Sequence, residues 1–231
     1  MQFSAEHGTV AHNYVTFYTM DTTEEVLIYM PPSYHKPGSE TRLYPVLYLL
    51  HNDCEQAMNC VQEGKVNIIV NGKITIVIVM KSSVSTRGDG EYLPCDADHL
   101  CEDLTKDSMP QIDSHYRTEA DCDNCTIVGL YTCFIKISRL CTTRHDLFAY
   151  AGVLSGFLRT SWNSVSTDGD HIDDLCRHRA VFESDDALLA ELGEACEWRI
   201  YAGLHSWQVW YQAAEDFLSI LFKGLNSSSR H

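Results

Sequence analysis

The sequence predicts an α/β fold with a mostly parallel central sheet flanked by helices, and three observations predict it. Four strand-length runs are nearly all apolar, amphipathic helical patterns lie between them, and two β-rich segments precede them. A strand that is apolar at every position is buried on both faces, as strands of a parallel sheet are. Strands alternating with helices give such a sheet through right-handed crossovers.

Tyr14-Val15-Thr16-Phe17-Tyr18 alternates and is rich in β-formers, so it reads as a strand. Glu25 to Met30 reads as its antiparallel neighbour, stopped by Pro31-Pro32. Tyr34 to Arg42 is a polar loop. Pro45 to Leu50 is the first buried strand, Ile74 to Met80 the second, Thr126 to Leu130 the third and Phe148 to Leu154 the fourth. Asp98 to Tyr116 repeats apolar residues at Leu100, Leu104, Met109 and Ile112, with a kink expected at Pro110. Thr132 to Thr143 carries Phe134, Ile137, Leu140 and Cys141 on one helical face. Further helices are expected at Asp185 to Leu192 and at Trp207 to Phe222. The last has Trp210, Ala214, Phe217, Leu218, Leu221 and Phe222 as its buried stripe.

Composition narrows the function classes. The chain has 231 residues, 45% of them apolar, and a formal net charge of −15. A domain of this length buries roughly 70% of its unfolded surface, so one domain over 1–231 is expected, with 224–231 as a Ser-rich tail. The negative charge repels a phosphate backbone, and no Lys/Arg cluster offsets it locally, which argues against nucleic acid as a partner. No apolar run approaches the roughly 18 residues of a membrane span. Met1 to Glu6 lacks the basic and apolar regions of a secretory signal, which points to the cytoplasm; a mature exported form stays open.

The ten cysteines lie in a chain long enough to build its own core, so free thiols are expected rather than a disulfide framework. Cys122-Asp123-Asn124-Cys125 is the one C-x-x-C. It has no second pair at zinc spacing and leads into a strand rather than a helix, so neither a metal site nor a redox motif is expected. No cofactor is implied. Asn124-Cys125-Thr126 and Asn226-Ser227-Ser228 match the glycosylation pattern, which matters only in a secreted chain.

Several blocks carry a resemblance. Tyr44-Pro45-Val46-Leu47-Tyr48-Leu49-Leu50-His51 is similar to the strand before the oxyanion loop in the esterase D group of α/β-hydrolases. That group comprises feruloyl esterases, tributyrin or acetyl esterases and S-formylglutathione hydrolases. Val26 to Pro32 resembles its V-Y-L-P-P edge, Ile76 to Met80 its strand ending in V-M-P-N, and Ile112 to Arg117 the helix end before its nucleophile strand. Asp146 to Gly156 resembles the segment after the nucleophile helix. Gly203-Leu204-His205-Ser206-Trp207-Gln208-Val209-Trp210 resembles the G-G-H-x-W-x-x-W motif of the catalytic histidine. The resemblance covers about residues 13 to 223. It implies the α/β-hydrolase fold, antiparallel N-terminal strands and hydrolysis of carboxylic esters by a Ser–His–Asp triad. Family members often dimerise, so a homodimer is a further expectation.

Each catalytic role can be sought by position. The family's G-L-S-M-G-G elbow corresponds to Gly129-Leu130-Tyr131-Thr132-Cys133-Phe134, so Tyr131 stands at the serine position. A phenolic oxygen lies about 6.5 Å from Cα, against about 2.4 Å for a serine hydroxyl, and would overshoot the acyl carbon. Cys133 is the alternative nucleophile, since a thiolate near a helix N-terminus is activated, but it lies two residues past the apex. Thr132 is a second chemically able neighbour. The oxyanion donors implied are the main-chain N–H groups of Asn52, where the family has glycine, and of Thr132. His205 takes the place of the general base and Asp173 that of the acid.

Other departures follow the same pattern. Val79-Met80-Lys81-Ser82 replaces V-M-P-N, and Ser161 to Asp170 contains no apolar strand to carry the acid. The segment after Gly156 is short, so a reduced or missing cap and a sheet one strand short are expected. The scaffold blocks are kept while the residues facing the site have changed. The reading is an impaired or inactive esterase with a small ester or acyl ligand; the alternatives are a non-catalytic ligand-binding or interaction pseudoenzyme and a rearranged hydrolase using Cys133.

Overall fold

The computed structural model describes residues 7–18, 21–51, 57–62, 65–71, 73, 75–81, 101–130, 137, 140, 144, 146–154, 199, 201 and 207–221. Among these the sheet has six strands in the order β1-β2-β4-β3-β5-β6. They are β1 (Thr9–Phe17), β2 (Thr22–Met30), β3 (Val46–His51), β4 (Ile76–Lys81), β5 (Cys125–Leu130) and β6 (Tyr150–Leu154). β1 pairs with β2 and β2 with β4 in antiparallel fashion, while β4-β3-β5-β6 run parallel. The expected architecture of antiparallel entry strands and a parallel body is therefore present.

The parallel strands sort their side chains to two faces by the two-residue strand repeat. Tyr48, Leu50, Ile76, Ile78 and Ile127 enter one core, with Leu104, Ile112, Ile137 and Leu140 packed over them. Leu47, Leu49, Val77, Val79 and Val128 enter the other, covered by α1 (Ala57–Gln62), α2 (Val66–Ile69) and the C-terminal helix. Both faces are covered, which is why these runs are apolar at nearly every position. Ile137 and Leu140 are helical and buried as the periodicity required. The rest of the 132–143 helix, the 185–192 helix, and the expectations of a missing cap and strand all fall outside the described residues.

Strand boundaries differ from the sequence reading, most instructively in β1, β4 and β6. β1 begins at Thr9, five residues before Tyr14, because β2 is long enough to pair Thr9 with Met30. β4 begins at Ile76; Thr75 stands outside it and donates its hydroxyl to the Pro45 carbonyl at 2.9 Å. β6 begins at Tyr150, and Phe148 instead packs edge-on to the Tyr48 ring at 6.4 Å. Tyr150 and Ala151 are exposed, so this strand is not buried on both faces along its length.

Pro110 acts differently from a simple kink. It has no N–H for a carbonyl four residues back, and its ring would crowd that carbonyl. The chain meets this with a π-helical run, Asp103–Ser108, immediately before α3 (Met109–His115), in which Pro110 sits in the first turn.

The last helix, α4 (Trp207–Leu221), buries Trp210, Ala213, Leu218 and Leu221, with Ala214 and Phe217 half-buried beside them. It approaches β6 closely because Gly152 has no side chain. A Cβ there would lie 2.9 Å from the Phe217 ring.

Candidate active site

The parallel strands end together. His51 of β3 pairs with Lys81 of β4, Leu50 with Gly129 of β5, and Leu130 of β5 with Leu154 of β6. In an open α/β sheet, ligands bind outside the carboxyl ends of the strands. The chain passes from this edge into Asn52 after β3, Tyr131 after β5 and Ser155 after β6. His205 lies two residues before Trp207, the first residue of α4.

Asn52, Tyr131, Thr132, Cys133, Asp173 and His205 all lie outside the described residues. The described elements are those that lead to them. β5 ends at Leu130, one residue before Tyr131. His51 is 3% exposed at the end of β3, directly before Asn52.

The segment before His205 is tied to α4. Tyr201 donates its hydroxyl to Asp216 Oδ2 at 2.9 Å, and Arg199 Nη1 lies 3.5 Å from the same oxygen. Burial and the Asp216 carboxylate together raise the Tyr201 pKa. Trp207 and Trp210 meet edge-on with centroids 4.9 Å apart. Those two residues of the histidine motif are thus packing residues. Tyr201, Arg199 and Asp216 carried no sequence signal beyond their residue types.

The perturbed titratable groups at the sheet lie at its other end. Cys125 opens β5 opposite Val46 of β3. Burial, helped by Asp113, Asp121 and Cys122, pushes its thiol up to about 12. Burial also raises Tyr48 well above its ordinary value and lifts Asp113, which Thr118 partly offsets by donating its hydroxyl to Asp113 Oδ1 at 2.7 Å. Among the described residues, no three His, Cys, Asp or Glu side chains group as a metal site requires. No described helix is long and apolar enough to cross a membrane.

The block Ile112 to Arg117 has a structural explanation. Arg117 N–H donates to the Tyr34 hydroxyl at 3.1 Å, and its guanidinium donates to the Tyr34 carbonyl. The guanidinium lies 3.8 Å from the Tyr34 ring centroid, and the Tyr34 and Tyr44 rings are 5.3 Å apart. Tyr44 N–H donates to the Arg117 carbonyl at 2.9 Å and Glu119 N–H to the Tyr44 carbonyl at 2.8 Å. Arg117 thus fastens the polar loop after β2 to the entry of β3.

Comparison with known proteins agrees with this framework. The Esterase family model matches residues 18–217. An endo-1,4-beta-xylanase/feruloyl esterase of Xylanibacter ruminicola is 30% identical over 161 residues, covering 65% of this chain and 22% of that protein. The chain thus aligns with only a minor part of that relative's length. A ferulic acid esterase structure superposes with a TM-score of 0.70 at 16% identity, covering 93% of this chain and 98% of that one. The S-formylglutathione hydrolase of Staphylococcus aureus does so with a TM-score of 0.67 at 14% identity, covering 93% and 99%. At such identities the two structures speak for the α/β-hydrolase fold alone. Matched by its family model over most of its length, and built on this sheet, the chain belongs to the esterase family.

Proposed function

We propose that this chain is a family member in which ester hydrolysis is lost or strongly impaired, and that it retains a site for a small ester or acyl ligand. The observation that carries the reading is the residue after β5. The strand ends at Leu130, and the next residue is Tyr131 where the family's motif has serine. A serine there attacks the acyl carbon while histidine takes its proton and an acid orients the histidine. In this chain His205 and Asp173 would fill the last two roles, with the N–H groups of Asn52 and Thr132 facing the oxyanion. A phenol extends too far to attack at that geometry. Phenolate is also the better leaving group towards alkyl esters, so an acyl group gains little by moving to it.

The ligand class is the one the family resemblance implies, short acyl, acetyl or feruloyl esters, and two relatives are named as feruloyl or ferulic acid esterases. Such chemistry needs no metal or organic cofactor, since the nucleophile, base and oxyanion donors all come from the chain. The test is hydrolysis of p-nitrophenyl acetate and butyrate by the unsubstituted protein beside His205→Ala. Both are expected at the same background rate. A rate in the unsubstituted protein that His205→Ala abolishes overturns the reading, and directs attention to Cys133 or Thr132.

A further inference from the structure

β1 is an edge strand among the described residues, paired with β2 on one side. An edge strand presents unpaired N–H and C=O groups at every second residue, a template on which another strand can add. Thr16 is one of the outward residues, because its N–H and C=O bond to a side chain outside the sheet. Gln111 Oε1 accepts from Thr16 N–H at 3.2 Å, and Gln111 Nε2 donates to the Thr16 carbonyl at 2.7 Å. The amide reproduces the pair of bonds that a neighbouring strand would make. A second bond from Nε2, to the Asp107 carbonyl at 3.0 Å, fixes its orientation.

The flanking outward positions are covered as well. Tyr18 N–H donates to Asp107 Oδ2 at 3.0 Å. Tyr14 N–H donates to Asn13 Oδ1 at 2.8 Å, and the same Asn13 amide donates to the Tyr116 hydroxyl at 3.2 Å. Positions 16 and 18 are thus covered by residues 111 and 107 in turn, with the helical segment antiparallel to β1, while the Tyr14 N–H is taken by its own neighbour Asn13. The match is geometric: alternate strand residues are about 6.8 Å apart, and one helical turn rises about 5.4 Å.

We propose that the segment 103–116 is an edge guard. It occupies the N–H and C=O of Thr16 and the N–H of Tyr18 and thereby prevents strand-to-strand pairing with a second copy of this chain. A second copy is the occupant to exclude, because any strand's own copy offers the same ladder and the same alternation. By the two-residue repeat, Val10 and His12 face the same side, beyond the reach of these two side chains.

The test begins with amide hydrogen exchange on the unsubstituted protein. Thr16 and Tyr18 are expected to exchange at least tenfold more slowly than Val10 and His12. The variant Gln111→Leu opens position 16. In it the Thr16 amide should exchange at least tenfold faster, with the β1–β2 ladder amides unchanged. In sedimentation velocity under reductant, the variant should populate a species of twice the unsubstituted mass as concentration rises. Gln111→Glu gives a milder second probe: it still accepts from Thr16 N–H but cannot donate to the Thr16 carbonyl, and an intermediate exchange rate is expected. The proposal is overturned if Thr16 exchanges as fast as His12 in the unsubstituted protein. It is equally overturned if the variant's Thr16 amide opens while it sediments as the unsubstituted protein does.

Discussion

Tyr131→Ser is expected to hydrolyse p-nitrophenyl acetate on the order of a hundredfold faster than the unsubstituted chain. The expectation rests on chain position. β5 ends at Leu130 in register with Leu154 of β6, and on the proposed alignment the next residue, Tyr131, takes the place of the motif's serine. The gain should fall well short of a full triad's rate. Cys133 and Phe134 stand where the motif has glycines, and Asn52 where the oxyanion loop has one, so the turn and one donor are altered too. A steady-state assay of both proteins, each beside its own His205→Ala counterpart, reads the result directly. If both stay silent, the damage reaches the oxyanion loop or the acid, and a binding role without recoverable catalysis is the better account.

Arg117→Ala is expected to destabilise the fold by about 3 kcal/mol, measured by urea unfolding under reductant. The loss combines a charge-assisted bond to the Tyr34 carbonyl with stacking on the Tyr34 ring at 3.8 Å. Arg117→Lys should recover less than half of this. An ammonium is a point donor and cannot both lie flat on a ring and reach the carbonyl beside it. The main-chain bonds of Arg117 to Tyr34 and Tyr44 remain in either variant, so the loop stays attached and unfolding should stay cooperative. A change under 1 kcal/mol for both variants would remove Arg117 from the account of the Ile112 to Arg117 block.

The fold was legible where burial dictates composition. Val46 to Leu50 and Ile76 to Met80 are apolar throughout because both faces of the sheet are covered. Antiparallel entry strands were legible from the alternation at Tyr14 to Phe17 and the proline stop after Met30. The first half of β1, Thr9 to Asn13, was not, because it is polar and half-exposed and takes its strand form from pairing with β2. α1 and α2 are too short to show a helical period. The π-helical run before Pro110 depends on tertiary fit, and a lone proline suggests only a kink.

The candidate site was legible in a different sense. Tyr131, Asn52, Asp173 and His205 stand out only against a family motif, since no spacing within the chain marks them. What the structure adds is the strand ends that lead to two of them, His51 before Asn52 and Leu130 before Tyr131. Gln111 shows the opposite case. It bonds to a residue 95 positions away, and nothing in the local sequence distinguishes it from any polar helical residue.

The account's central claim is that the residue after β5 no longer serves as a nucleophile and that no neighbour has replaced it. The most direct measurement is labelling of the folded, unsubstituted protein with a fluorophosphonate and with an acyl-directed thiol probe, followed by peptide mapping. The account predicts no modification at Tyr131, Thr132 or Cys133 beyond that of the heat-denatured protein. Stoichiometric labelling of any one of these, in the folded protein alone, would contradict it and identify the nucleophile of a working esterase.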